Sequence, residues 1–477
     1  MIQRLGPLDS AFVLLEVPGS AMNIGAIIEL DFGIVSDPKE RFELIRRNIA
    51  DRLHEIPVLT QRIVRAPFDI MWPVLVPDRR FDRDRHVARV ALPSPGTSDQ
   101  FDDVISDFLS RPLSTTRPRW QLLIIEGLQD GRAAAALKFH HSLADGVSGA
   151  ETFASLFDIS PEVRAPAPKV AAGDDDEPSI ETPFALVRDG LRRLRERPAL
   201  VLDIVTSWTV RLVSILRAVI QVALVRGRNR ATPGQPSIFE ARRTSLNAAP
   251  QVEKVYHRTR VSLADAKRTA KIHGASVTDF VMAAASGALR RLLIERGEIL
   301  KRDLIAFVPI NVRGEGDTAE MGNQISGMLL ALHADIVDPV ERLMAIAKDS
   351  ANTVGVQRQR RAKMFQDMPR LLGPLPLSVG GQLLSALGLF DHLPPIANLM
   401  ISSVPGPPVP LWLSGHRVVS AAPFGPLLGP FSLNITVLGF EQNLEFGLLG
   451  SAETMPDLAV LRDYIFDEAS ILMGTID

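Results

Sequence analysis

The stretch from residue 120 to residue 146 constrains this chain more than any other. Residues 120–127 and 132–139 are apolar and strand-like, and Leu128-Gln129-Asp130-Gly131 between them holds an Asp-Gly pair suited to a tight reversal. The second strand therefore delivers His140-His141 at its carboxyl end. Residues 146–157 have helical spacing, so the intervening segment reads as a strand-to-helix loop that points side chains into a cleft. A hairpin feeding a helix in this way belongs to a mixed α/β fold.

The remainder of the chain fits that class. Residues 23–30 and 86–92 alternate like strands, and 101–109 like a helix. Residues 161–183 turn to Pro, Ala and the acidic run Asp174-Asp175-Asp176-Glu177, which reads as a solvated linker. In residues 183–230, Asp203, Ser207, Arg211, Ser214, Arg217 and Gln221 recur at helical spacing on one narrow stripe and leave a wide apolar face. Such a helix packs between neighbours or lies at a lipid interface. Beyond residue 251 the pattern is again α/β. Ser262 and Asp265 open a helix that Gly274 closes, a second helix spans 278–296, and a last one starts near Pro456. Strands are expected at 304–309, 325–333, 398–404, 433–440 and 444–449. The expected division is 1–160, a linker with the arginine-rich helix over 161–250, and 251–477.

Composition removes several chemistries. With no cysteine in 477 residues there is no thiolate nucleophile, Cys-ligated zinc, iron–sulfur cluster or disulfide framework. The 53 basic and 55 acidic residues balance, against a nucleic-acid binder. The amino terminus lacks the charged-then-apolar order of a secretory signal, so a cytoplasmic location is expected. No G-x-S-x-G elbow, P-loop, G-x-G-x-x-G or H-E-x-x-H occurs. What remains is His140-His141-Ser142-Leu143-Ala144-Asp145-Gly146. Two histidines at a strand end, a nearby carboxylate and a glycine for the turn suit a general base with local supports. The same residues also suit polar capping of a strand. A metal site has little support, because adjacent histidines on a strand point to opposite sides and no partner cluster stands out.

That heptapeptide resembles the HHxxxDG motif of the bacterial wax ester synthase/diacylglycerol acyltransferase family, within the wider HxxxD acyltransferase superfamily. Further blocks are similar to the family's and come in its order: residues 6–12, residues 81–87 with 92–96, Pro309 to Arg313, Gly322-Asn323, Asn398 to Pro407, and Leu433 to Thr436. Three positions depart from it. Arg119 replaces the Leu of the usual Pro-Leu-Trp, Ser403 stands where Asn is usual, and Asn23 where His is common. His140 and Asp145 also fit the H-x-x-x-x-D spacing of glycerol-phosphate acyltransferases, whose Phe-Pro-Glu-Gly block is absent.

The resemblance implies two similar coenzyme A-dependent acyltransferase-like domains, joined by a crossover, around a tunnel that reaches His141. It implies transfer of a long-chain acyl group from acyl-coenzyme A to diacylglycerol or a long-chain alcohol, without an acyl-enzyme, metal or cofactor. His141 is then the general base and His140 its support. Asp145 is a structural carboxylate with Arg313 as its partner, and Gly146 makes the loop turn. Asn434 or Ser432 is the expected oxyanion donor, with turn or core hydrogen bonding as the alternative. Trp120, Asn311, Arg313, Asn323 and Asn398 are the expected substrate-binding residues. The expected surface partner is a lipid droplet or the inner membrane, met peripherally. Competing readings are an acyltransferase of the same fold with another donor or acceptor, and a binding paralogue whose chemistry has faded.

Overall fold

The computed structural model describes residues 3–32, 37–143, 155–166, 182–196, 236, 240–249, 251–298, 303–311, 325–356, 369–370, 372–388, 391–392, 394–407 and 409–475. Strands of the amino-terminal half are β1 (Gln3–Arg4), β2 (Asn23–Asp31), β3 (Gln61–Val64), β4 (Val74–Pro77), β5 (Val87–Ala91), β6 (Trp120–Glu126) and β7 (Ala133–His140). Those of the carboxyl-terminal half are β8 (Lys254–Ser262), β9 (Ile305–Asn311), β10 (Ile325–Ala331), β11 (Leu399–Val404), β12 (Trp412–Leu413), β13 (His416–Phe424), β14 (Leu433–Phe440) and β15 (Asn443–Ser451). The helices begin with α1 (Pro7–Leu14), α2 (Pro38–Arg52), α3 (Ser98–Ser110) and α4 (Pro183–Glu196). They continue with α5 (Leu263–Ile272), α6 (Val277–Glu295), α7 (Pro339–Val356), α8 (Pro374–Ala386) and α9 (Leu458–Gly474).

Local chemistry explains the boundaries. Thr97 and Gln100 form a reciprocal capping box on α3, as Ser276 and Asp279 do on α6. The predicted hairpin is β6–β7, in register from Trp120 opposite Phe139 to Ile125 opposite Ala134, and Gly127 and Gly131 take positive φ at its reversal. Residues 155–157, the described end of the helix expected over 146–157, form a turn and bend. Asp158 just beyond them holds the buried Arg52 through both carboxylate oxygens at 2.8 Å and bridges the backbone of Trp412. Of the helix expected over 183–230, α4 is present, and residues 197–230 lie outside the described residues.

Two six-stranded sheets carry the fold, in the orders β12-β13-β2-β7-β6-β5 and β10-β9-β11-β14-β15-β8. They share one plan. In β2-β7-β6-β5 the successive pairings are antiparallel, antiparallel and parallel, and β8-β15-β14-β11 repeats that sequence of pairings. The plan is broken by an exchange the sequence did not announce. β12 and β13, from the second half, join the first sheet, with β13 paired to β2 from Arg417 opposite Asp31 to Phe424 opposite Gly25.

Alternation along the strands assigns the faces. Ile24, Ala26, Ile28 and Leu30 join Ala135, Leu137 and Phe139 in one apolar cluster. On the opposite face Ile27, Ala134 and Ala136 pack with Tyr256 and Leu449 of the second sheet. Asn23 and His140 fall in step with this second group and sit opposite each other at the sheet's end. The larger core of the second unit surrounds α6, where truncating a buried leucine such as Leu289 costs about 2–5 kcal/mol.

Candidate active site

The end of β7 places the two histidines in different environments. His140 is fully buried. Its Nδ1 accepts the Ser142 backbone N–H at 3.2 Å and lies 2.7 Å from the Ser142 hydroxyl, which assigns the ring proton to Nε2. That Nε2 is 3.7 Å from the Glu16 carboxylate, and the same carboxylate accepts from Arg119 at 2.8 Å. Arg119 is itself buried, and its backbone carbonyl accepts the His140 N–H at 2.9 Å. Burial holds His140 well below the ordinary histidine range, with the Arg119 charge and His141 acting the same way.

His141 begins a short 3₁₀ turn, His141–Leu143, and its backbone N–H donates to the Met22 carbonyl at 2.7 Å. The imidazole stacks on Phe12 of α1 with ring centroids 4.1 Å apart. Its Nδ1 is buried without a hydrogen-bond partner. Burial pushes its pKa down to about 4, its own backbone offsetting part of the effect. A ring of this kind is neutral at physiological pH and has a lone pair to offer, which is the state a general base needs.

Orphaned polar atoms gather here: His140 Nε2, His141 Nδ1, Arg119 Nε and Asn23 Oδ1 are all buried without partners. Buried polar groups are ordinarily satisfied, so such a gathering makes this end of the sheet the candidate site.

Family models settle what this constellation belongs to. Residues 5–281 match the wax ester synthase/diacylglycerol acyltransferase catalytic domain, and residues 321–472 match the family's carboxyl-terminal domain. The chain belongs to this acyltransferase family. A putative diacylglycerol O-acyltransferase of Mycobacterium tuberculosis is 29% identical over 97% of this chain and 88% of that protein. In fold, the wax ester synthase/diacylglycerol acyltransferase of Marinobacter aquaeolei VT8 superposes with a TM-score of 0.68 at 23% identity, covering 99% of both chains. The first condensation domain of the calcium-dependent antibiotic synthetase superposes at 0.53 with 16% identity, covering 99% of this chain and 97% of that one.

The other expected site residues of this acyltransferase are distributed unevenly. Both amide hydrogens of Asn434 are directed to neighbours, the Pro426 carbonyl at 2.9 Å and the Met400 sulfur at 3.1 Å, and its oxygen accepts from Thr436. Ser432 exchanges hydrogen bonds with the backbone of Ala248. Neither group has a free donor for an oxyanion in this structure. Trp120 is buried, donates to the Leu59 carbonyl at 2.7 Å and stacks on His86. Asn398 bonds the Arg242 carbonyl, Asn247 and the Ile305 N–H, holding the entry to β9 and β11. In this structure the side-chain polar atoms of both are directed to protein partners. Asn311 closes β9. Asp145, Gly146, Arg313 and Asn323 lie outside the described residues.

Ser403 lies in β11 opposite Val437. Glu16 and Phe12 carry parts of the site that sequence reading did not single out. Their signal was slight: an acidic residue closing an apolar run and an aromatic within an opening block. Among the described residues, Asp303, His333 and Asp335 form a group able to hold a metal, in the second unit. Asp303 there already accepts the N–H groups of His333 and Ala334.

Proposed function

We propose that this acyltransferase moves a long-chain acyl group from acyl-coenzyme A to the hydroxyl of diacylglycerol or a long-chain alcohol, with His141 as general base. The observation that carries the reading is the neutral imidazole at the end of β7, gripped through Met22 and Phe12 and surrounded by unpartnered polar atoms. With Nδ1 buried, Nε2 is the nitrogen that takes the proton from the acceptor hydroxyl as its oxygen attacks the thioester carbonyl. The C–O bond forms, the tetrahedral intermediate expels the thiolate as the C–S bond breaks, and the imidazolium returns the proton to sulfur. No acyl-enzyme, metal or cofactor takes part. The aromatic face of Phe12 favours the transient imidazolium. By the family resemblance, the acyl chain and acceptor reach His141 through a tunnel between the two units.

The protein works peripherally at a lipid surface, a membrane leaflet or a droplet. Supporting this, α4 exposes Phe184, Arg188 and Arg195, while Leu186 anchors the helix against Val64, Ala66, Val74 and Val76. No helix among the described residues is long and apolar enough to cross a membrane.

The test is thiol release from palmitoyl-coenzyme A, with products identified, in the presence of dioleoylglycerol, hexadecanol or no acceptor. Acceptor-dependent ester formation that falls about 10²- to 10⁴-fold in His141→Ala is the expected result. Equal turnover by wild type and variant refutes the general-base role.

A further inference from the structure

We infer that Asn23 is the hydrogen-bond donor that meets the thioester carbonyl oxygen as it becomes an oxyanion, a role that rests on the acyl-transfer reading above. Among the described residues nothing donates to the Asn23 amide oxygen. Asn23 is 6% exposed, and its Oδ1 is buried with no partner. Buried side-chain polar atoms are ordinarily paired, so an unpaired one beside the two histidines calls for an explanation.

Its position supplies one. Asn23 opens β2 directly opposite His140 on β7, and the preceding Met22 carbonyl anchors the His141 backbone. Its side chain belongs to the sheet face that the second unit covers, by alternation with Ile27. On its other flank the β13 pairing stops at Gly25 opposite Phe424, so among the described residues no strand closes over Asn23 there. The chain instead passes from Phe424 to Pro426, whose carbonyl is held by Asn434, and Leu427, whose carbonyl is held by Ser20. Asn23 thus lies at the catalytic end of the first sheet, where the chain crosses between the two units.

The two donors expected from the second unit are engaged, since Asn434 and Ser432 direct them to protein neighbours. An asparagine carries two N–H donors and one acceptor, and with Oδ1 the buried atom the N–H end is the one left to meet a ligand. Carbonyl oxygen gains negative charge only as the acceptor attacks, so a fixed neutral donor there favours the transition state over bound thioester.

The test is steady-state kinetics and thermal unfolding of full-length Asn23→Ala, Asn23→Asp and Asn23→His, beside His141→Ala. Asn23→Ala and Asn23→Asp should lower kcat about 10²- to 10³-fold while KM for palmitoyl-coenzyme A stays within roughly threefold. The melting temperature of Asn23→Ala should hold or rise, because an unsatisfied polar group has been removed. Asn23→His, which restores a donor, should keep activity within about tenfold of wild type. If Asn23→Asp turns over like wild type while His141→Ala is inactive, the Asn23 assignment falls and the general base stands. If Asn23→Ala loses activity only in proportion to lost folded protein, the residue is structural and the assignment also falls. If His141→Ala retains wild-type turnover, the reading on which the assignment rests fails with it.

Discussion

Acidification should destabilise this protein through His141 before it touches most carboxylates. An ordinary histidine titrates near pH 6.5, whereas burial of His141 against Phe12 pushes its pKa down to about 4. The unfolded chain therefore binds a proton at pH values where the folded one does not. Stability is unaffected by this group above about pH 7, declines as pH falls through 6.5, and stops declining below about 4. The full depression corresponds to about 3 kcal/mol, of which about 2 kcal/mol is already lost at pH 5. His140 is depressed in the same direction and adds to the loss. The assay is urea unfolding of wild type and His141→Gln at pH 7.5 and pH 5, followed by tryptophan fluorescence. The variant cannot take up this proton, so the wild-type minus variant difference should shift by about 2 kcal/mol between the two pH values. Histidine NMR titration locates the same event, and the acid limb of kcat/KM should fall near pH 4. A pH-independent difference, or a His141 resonance titrating between 6 and 7, would refute the reasoning.

Three further expectations concern the supports. Asp158→Ala strands the buried Arg52, whose side chain is 1% exposed, and should cost about 3–5 kcal/mol by the same urea assay. Arg119→Leu removes the buried cation paired with Glu16, leaving a carboxylate 3.7 Å from His140 Nε2, so the His140 NMR titration should move upward. Reversing Arg188 and Arg195 to Glu should reduce flotation with anionic vesicles at low salt and change little with neutral ones.

Much of the site was readable because its determinants are local. An Asp-Gly reversal, a strand of alternating faces and two histidines at its end are all written within some twenty residues, and the structure places them as written. Ser262, Ser276 and Thr97 cap their helices for the same local reason. What escaped depends on distant partners. Nothing in residues 416–424 says that they pair with residues 25–31 rather than with their own sheet neighbours, since pairing partners leave no periodic trace. The commitment of Asn434 to Pro426 and Met400 was equally invisible, because the same Asn in a strand serves a ligand or a turn with no change in pattern. Glu16 carries no more local signal than any acidic residue at the close of an apolar run, and only the fold brings Arg119 and His140 to it.

The loan of β13 to the first sheet has a consequence for biosynthesis. A chain emerging amino terminus first presents β2 long before residues 416–424 exist to cover its edge. The catalytic strand β7 can pair with β2 early, but the sheet that holds it stays open on one side until most of the polypeptide has been translated. An uncovered edge is a template for pairing with other chains. Premature termination before residue 416 would therefore yield a sticky, unfinished first unit rather than a smaller working one, and expression of such fragments belongs with chaperones or not at all.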